Sequence, residues 1–120
     1  MMYRVFQIQL SAAEIDLVNN PRGIEVTKHV HRRNMYGKRV VETAKQALAD
    51  NCYDHVANIK AYDLDSVFAI GNGMMDGEVE RTHEYCSSIS VGDIIINEHD
   101  EKFVVDTFGF QMLPEKVAAC

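Results

Sequence analysis

The sequence is poor in cysteine and has no long apolar run. Its three cysteines, Cys52, Cys86 and Cys120, form neither a CxxC pair nor an even set. A disulfide framework is therefore not expected, and a reducing compartment fits better. No window approaches the roughly 20 apolar residues that cross a bilayer, and the opening MMYRVFQIQL lacks the apolar core and cleavage site of a signal peptide. We therefore predict a cytoplasmic protein without a membrane segment.

The chain also lacks the length of two domains and an overall basic charge. Its 120 residues predict a single domain, 1–120, large enough to bury one ordinary core. Lysine and arginine number 12 against 18 aspartates and glutamates, a net charge of −6. The charges are segregated, because residues 22–39 hold six bases and one acid whereas residues 63–106 hold eleven acids and two bases. Such a distribution suits docking to a partner, or simply solubility.

Helix and strand signals alternate through the first two thirds of the chain. YRVFQIQ alternates as a half-buried strand does, and Ser11 with Glu14 forms a capping box. Val41, Ala44 and Leu48 recur at helical spacing. The predicted elements are strands over 3–9 and 53–61, a short helix after Ser11, a helix over about 38–50, a helix between Asp63 and Gly71, and a loop over 73–86.

The stretch SSISVGDIIINEHDEKFVVDTFGF, residues 87–110, predicts a hairpin of two apolar strands around a charged turn. If EHDE forms the turn, Asp93 lies opposite Asp106. A slip of one residue would place Asp106 opposite Ile94 instead. The predicted core face consists of Ile94, Ile96, Phe103 and Val105.

Two facing carboxylates destabilise a sheet unless something compensates for their repulsion. The pair could share a proton as an acid/base dyad, share a hard cation, or accept amide hydrogen bonds, each from its own turn. Because Asp93 follows Gly92 and Asp106 precedes Thr107, the turn role is favoured.

These patterns predict an α+β fold: a small, mainly antiparallel sheet of about four strands, with two or three helices packed on one face and a C-terminal β-hairpin. His83 with Cys86, and His29 with His31, lack a recognised zinc-ligand spacing. We therefore expect neither a metal nor another cofactor, and we assign no catalytic residue.

Three blocks of the chain resemble the YodL-like domain family. They are YRVFQIQ, then YDHVANIKAYDLDSVFAIGN, and then the closing hairpin stretch, in the family's order. Gly92 and Thr107 depart from the serines more usual there. The resemblance implies a bacteriophage or mobile-element context and brings no established catalytic role. The positions that would carry a shared functional surface, here the family-motif surface, are Ser88, Ser90, Asp93, Asp106, Thr107 and Phe108.

Residues 22–39 match no family block and form a separate feature. We define the basic patch as Arg22, Lys28, Arg32, Arg33, Lys38 and Arg39. The leading hypothesis is a non-enzymatic accessory protein of a phage or mobile element that binds a host or viral protein. The alternatives are nucleic-acid binding through the basic patch, and a metal-dependent or acid/base enzyme that uses Asp93 and Asp106.

Overall fold

A computed structural model describes residues 1–114, which form one antiparallel sheet and four α-helices. In chain order the elements are β1 (Met2–Ile8), α1 (Ala12–Val18), α2 (Thr27–Arg33), a 3₁₀ turn (Gly37–Arg39) leading into α3 (Val40–Ala49), β2 (Tyr53–Lys60), α4 (Leu64–Gly71), β3 (Val79–Arg81), β4 (Ile94–Ile96), β5 (Lys102–Asp106) and β6 (Gly109–Met112). The strand order is β3-β2-β1-β4-β5-β6. The predicted α+β class, antiparallel sheet and C-terminal hairpin are confirmed.

Side-chain caps begin two of the helices where the sequence predicts them. At α1 the Glu14 amide donates to Ser11 Oγ at 3.1 Å, and the Ser11 amide donates to Glu14 Oε1 at 2.8 Å. At α4 the Ser66 amide donates to Asp63 Oδ1 at 2.9 Å. Each cap satisfies amides of a first turn that have no partner within the helix.

The helices cover both faces of the sheet, and the prediction of helices on one face only is wrong. On one face Ile95 and Val105 pack with Val67 and Ile70 of α4. On the other face Ile94 and Ile96 pack with Val40 and Ala44 of α3, and Val104 of β5 and Leu113 complete this cluster. The physical reason lies in β4, whose three consecutive isoleucines are all buried, as in a strand covered on both sides.

The register of the β4–β5 hairpin differs from the predicted one and separates the two aspartates. Ile94 pairs with Val104, and Asp93 therefore lies opposite Val105 rather than Asp106. The Val105 amide donates to the Asp93 carbonyl at 2.9 Å. The predicted core face is also wrong, since Ile94 and Val105 lie on opposite faces of the sheet.

The turn explains the shift in register. Asn97 pairs with Glu101 through the backbone, and Asn97 Oδ1 accepts hydrogen bonds from the amides of His99 and Glu101. Asp100 adopts a φ of 61°, the left-handed conformation that ends a three-residue hairpin loop. An odd number of loop residues moves β5 by one position relative to the prediction, which exchanges its two faces.

Three shorter elements were not predicted. The helix α2 lies inside the basic segment, and β3 lies inside the predicted 73–86 loop, where it pairs with β2 at one edge of the sheet. The strand β6 pairs with β5 at the other edge, so the sheet has six strands instead of the predicted four or so. Within residues 1–114 no helix has the length and apolar character to cross a bilayer. Cys52 and Cys86 carry free thiols, and Cys120 lies outside the described residues.

Candidate functional site

One end of the sheet brings together segments that are far apart in sequence. Because Phe6 pairs with Ile94, the last residues of β1 reach the same end as the segment that enters β4. We call residues 87–93 the motif loop. This loop has few backbone partners, and side chains from other elements supply much of its hydrogen bonding.

Gln7 of β1 clamps the start of the motif loop. Its Nε2 donates to the carbonyls of Ser87 at 2.9 Å and Ser88 at 3.3 Å, and its Oε1 accepts from the Ser87 amide at 3.1 Å. The residue is only 3% exposed. The buried side-chain amide of Gln7 thus both donates to and accepts from the backbone of the motif loop, as a neighbouring strand would.

Asn72, at the end of α4, clamps the middle of the motif loop in the same way. Its Oδ1 accepts from the Ile89 amide at 2.6 Å, and its Nδ2 donates to the Ile89 carbonyl at 3.1 Å. Ile89 itself is buried in the core cluster that α4 covers. The motif loop is therefore held by two amides and one apolar anchor.

Asp93 ends the motif loop and has an unusual carboxyl group. Its Oδ2 accepts from the Ser90 amide at 2.9 Å and from Gln7 Nε2 at 3.0 Å, whereas Oδ1 has no hydrogen bond with residues 1–114. Burial raises the pKa of Asp93 to about 7, against the opposing effects of these two hydrogen bonds and the positive charge of Arg32. The carboxyl group therefore titrates near neutral pH.

A polar cavity of about 220 Å³ lies beside Asp93. Gln7 and Ser87 line it on the sheet side, and Arg32 and Met35 line it on the side of α2. No ion pair among the described residues includes Arg32. The cavity therefore combines a carboxyl group, neutral polar groups and a guanidinium outside every ion pair of residues 1–114, and it has room for a small polar group.

Gly92 allows the segment after α2 to lie directly against the motif loop. Its φ of +94° is a conformation that favours glycine, and a Cβ at this position would overlap the side chain of Met35. The Tyr53 hydroxyl donates to the Gly92 carbonyl at 2.6 Å, and burial raises the pKa of Tyr53. This turn is therefore covered by side chains of two other elements.

The family-motif surface lies at this end of the sheet, but its members have different environments. Ser88, Ser90, Thr107 and Phe108 are exposed, with Phe108 exposed by 93%. Asp106 accepts from the Thr107 amide at 2.7 Å, and Asp93 accepts from the Ser90 amide. Both aspartates thus make the predicted turn contacts, and the facing pair on which the dyad and shared-cation hypotheses depended does not form.

The basic patch is divided in the structure. Lys28 is engaged, because its Nζ lies 3.2 Å from Glu14 Oε1 and donates to the Gln9 carbonyl at 3.0 Å. Arg39 lies over the ring of Tyr36, 5.6 Å from its centroid. The members that are exposed and outside every ion pair of residues 1–114 are Arg22, Arg32, Arg33, Lys38 and Arg39.

The histidines that could suggest zinc have other partners. His31 Nε2 lies 2.8 Å from Asp50 Oδ2, and His83 accepts from the Tyr85 amide. Residues 1–114 contain no group of three or more histidine, cysteine or acidic side chains arranged to hold a metal ion.

Three parts of the site, Gln7, Asn72 and Met35, were not predicted from the sequence. A signal was present for the two amides, because Gln7 closes the YRVFQ core of the first resemblance block and Asn72 ends the second. In the structure both of them hydrogen-bond to the third block. Met35 left no signal, since a methionine between a short helix and a 3₁₀ turn has no characteristic spacing.

Comparison with known proteins gives no match to this chain among protein-family models, curated proteins or solved structures. The resemblance to the YodL-like family therefore stays a prediction, together with the context it implies.

Proposed function

We propose that this protein is a small non-enzymatic accessory protein of a bacteriophage or mobile element, and that it binds a host or viral protein in the host cytoplasm. The observation that carries the proposal is the amide-clamped end of the sheet. There Ser88 and Ser90 of the family-motif surface stand on a backbone fixed by Gln7 and Asn72, and Thr107 and Phe108 stand on the adjacent β5–β6 turn. A preorganised surface loses little conformational entropy on binding.

Phe108 supports a protein partner. It occupies the β5–β6 turn and is 93% exposed, and the neighbouring motif loop adds the exposed Val91. Aromatic side chains are enriched among residues that contribute most to protein–protein binding, because they bury a large area at low entropic cost. An exposed aromatic at the tip of a turn is suited to enter a pocket of a partner.

The common role of the resemblance blocks also supports the proposal. Residues of the first and second blocks hold the third block in place, so the matched positions act on one surface. A sequence pattern that maintains one loop conformation is expected where that loop makes specific contacts.

Nucleic-acid binding is a second candidate, favoured by the exposed cations of the basic patch. A backbone-binding surface would neutralise phosphates and lose affinity steeply as salt concentration rises. The enzyme hypothesis is not proposed further, because the juxtaposition of Asp93 and Asp106 that motivated it is absent.

A pull-down from bacterial lysate tests the proposal. The wild type is compared with Phe108→Ser and with Tyr62→Ser, a matched control because Tyr62 is also an aromatic exposed by 93%. Tyr62 follows the end of β2 that is remote from the motif loop. We expect a specific protein to be captured by the wild type and by Tyr62→Ser, and to be lost with Phe108→Ser.

Two further arms separate the candidates. Charge reversal at Arg32, Arg33, Lys38 and Arg39 reports on the basic patch, and nuclease treatment removes bridging nucleic acid. A protein retained after digestion supports direct protein binding. Capture that disappears on digestion would favour the nucleic-acid candidate, and capture of nothing by the wild type would contradict the proposal.

A further inference from the structure

The helix α1 is amphipathic in sequence but buries none of its residues. Ile15 is 46% exposed and Leu17 is 40% exposed. The capping box stabilises the start of α1, although no apolar face of the helix is covered. In most surface helices the stability comes from such a covered face.

An open groove of about 400 Å³ runs between α1 and α2. Leu10, Ile15 and Val18 form its apolar wall, and His29, Arg32 and Arg33 of α2 form the other wall. Within residues 1–114 no acidic residue lines it. We call this feature the α1–α2 groove.

Lys28 connects the two helices beside the groove. Lys28 of α2 binds Glu14 of α1 at 3.2 Å and also the Gln9 carbonyl at 3.0 Å. Both partners of Lys28 are partly buried. The two walls are thus connected by a charged contact that is itself held by the α1 capping box.

The charge of the groove is opposite to the charge of the molecule. The chain carries a net −6, yet Arg32 and Arg33 take part in no ion pair among the described residues. Two neighbouring guanidiniums with an apolar wall opposite them complement a ligand that offers both carboxylates and apolar side chains.

From this complementarity we infer that the α1–α2 groove binds an acidic amphipathic helix of the partner protein, an inference that rests on the proposed function. The partner's apolar stripe packs on Leu10, Ile15 and Val18, as in helix-in-groove recognition. Its flanking glutamates or aspartates pair with Arg32 and Arg33. A nucleic-acid backbone would use the arginines but would leave the apolar wall uncovered.

The test is a direct titration with a defined probe. The probe is a fluorescein-labelled peptide of about 16 residues, a length at which an isolated helix can form, with leucines at i, i+3, i+4 and i+7 and glutamates on the flanks. The comparison ligands are a peptide of the same composition in shuffled order, a peptide with lysine in place of glutamate, and a single-stranded oligonucleotide. Fluorescence anisotropy gives each Kd, and backbone NMR shifts locate the contact.

We expect the acidic amphipathic peptide to bind more tightly than any comparison ligand, with shifts at α1 and α2. Arg32→Glu with Arg33→Glu should weaken binding on the order of tenfold or more. The control Lys38→Glu with Arg39→Glu makes the same change in net charge outside the groove and should leave binding within about twofold. Thermal melts of each variant check that the fold is retained.

Apolar contacts are tested by a second matched pair. Ile15→Asn removes an apolar wall residue, whereas Ile24→Asn changes a residue of similar exposure, 40%, that does not line the groove. The inference predicts weaker binding for Ile15→Asn alone. The inference is overturned if the probe does not bind, if both charge variants weaken peptide binding equally, or if the oligonucleotide binds more tightly than the peptide. It is also overturned if the NMR signals of the groove shift with protein concentration alone, because that would indicate that a second copy of the chain occupies the groove.

Failure of this inference can be told apart from failure of the proposed function. A lysate partner that is lost with Phe108→Ser but retained by Ile15→Asn and by the Arg32/Arg33 variant would keep the proposed function and reject the groove. Specific peptide binding at the groove, with no lysate partner captured by any variant, would keep the groove as a binding site and reject the accessory-protein role.

Discussion

Two turns at the same end of the sheet each combine an aspartate with a glycine but have different surroundings. One runs from Ser90 to Asp93 and the other from Asp106 to Gly109, and each pairs an aspartate with a glycine at a φ of +94°. In each turn the aspartate carboxylate accepts a hydrogen bond from a main-chain amide. The first is covered by Met35 and Gln7, whereas the second stands open with Phe108 in solvent.

This difference shows how the surroundings of a turn alter the properties of its carboxyl group. Local hydrogen bonding can build either turn, and the covered turn in addition has a carboxyl group with a raised pKa and a cavity beside it. Packing of distant side chains therefore decides which of two similar turns becomes chemically distinctive.

The largest expected difference between the turns is in the response of their glycines. Gly92→Ala should lower the free energy of unfolding by about 3–4 kcal/mol, because backbone strain of about 1–2 kcal/mol adds to overlap with Met35. Gly109→Ala meets no neighbouring atom and should cost only the strain, about 1–2 kcal/mol. Urea denaturation of both variants measures the difference.

A double variant identifies the source of the larger loss. Combining Gly92→Ala with Met35→Ala removes the overlapping side chain, so the two changes should cost less together than the sum of their separate costs. Additive losses, or equal losses for Gly92→Ala and Gly109→Ala, would mean that Met35 does not restrict the covered turn.

The amide clamp should be the next most sensitive feature. Gln7→Leu leaves the Ser87 amide and the carbonyls of Ser87 and Ser88 without their partner and should cost about 3 kcal/mol. Gln111→Leu is the control, since Gln111 lies exposed on β6 and should change stability by less than about 0.5 kcal/mol. Chemical denaturation again provides the measurement, and similar values for both variants would rule out the clamp.

The sequence predicted the fold class and most elements because their signals are local. Alternating residues in β1, the capping box at Ser11 and the Asp63 cap each act within a few positions, and all three appear in the structure. The register of the β4–β5 hairpin and the covering of both sheet faces by helices do not depend on local signals. They depend on the left-handed conformation of Asp100 and on helices that reach opposite faces of the sheet.

The candidate site was only partly predictable for the same reason. Asp93 could be selected from its turn motif, and Arg32 from its place in a basic run. Their meeting with Met35 depends on how the segment after α2 packs on Gly92, which no spacing in the sequence encodes. The predicted pairing of Asp93 with Asp106 failed because a change of one residue in the length of a turn is enough to exchange the faces of a strand.

The pH dependence of stability should distinguish the covered aspartate. Its pKa of about 7 in the folded state lies above the ordinary value of about 3.9 in the unfolded state. Between these values the folded protein holds a proton that the unfolded chain has released, so stability falls as pH rises from about 4 to about 7 and levels off above that. The loss should be on the order of 2 kcal/mol, since the polar groups that line the cavity moderate the effect of burial.

The measurement is the free energy of unfolding of wild type and Asp93→Asn across pH 4 to 8. The amide side chain in this variant can keep one acceptor oxygen toward Ser90 but cannot ionise, so the contribution of the carboxyl group should vanish from the profile. Subtracting one pH profile of stability from the other removes the contributions of the other titrating groups. Parallel profiles would indicate that Asp93 is ionised throughout the range and that its surroundings do not resist the charge.

The smallest effect is expected at the open turn. Asp106→Ala removes one exposed hydrogen bond to the Thr107 amide and should cost about 0.5 kcal/mol, because water can replace the lost acceptor. Asp106→Asn retains an oxygen at that position and should restore most of the loss, which denaturation of both variants measures. A cost of about 3 kcal/mol for Asp106→Ala, well above that of one exposed hydrogen bond, or a cost that depends on which residue occupies position 93, would mean that the two carboxyl groups are energetically coupled. That result would join the two turns into one site and restore the paired-aspartate hypothesis that the β4–β5 register removes.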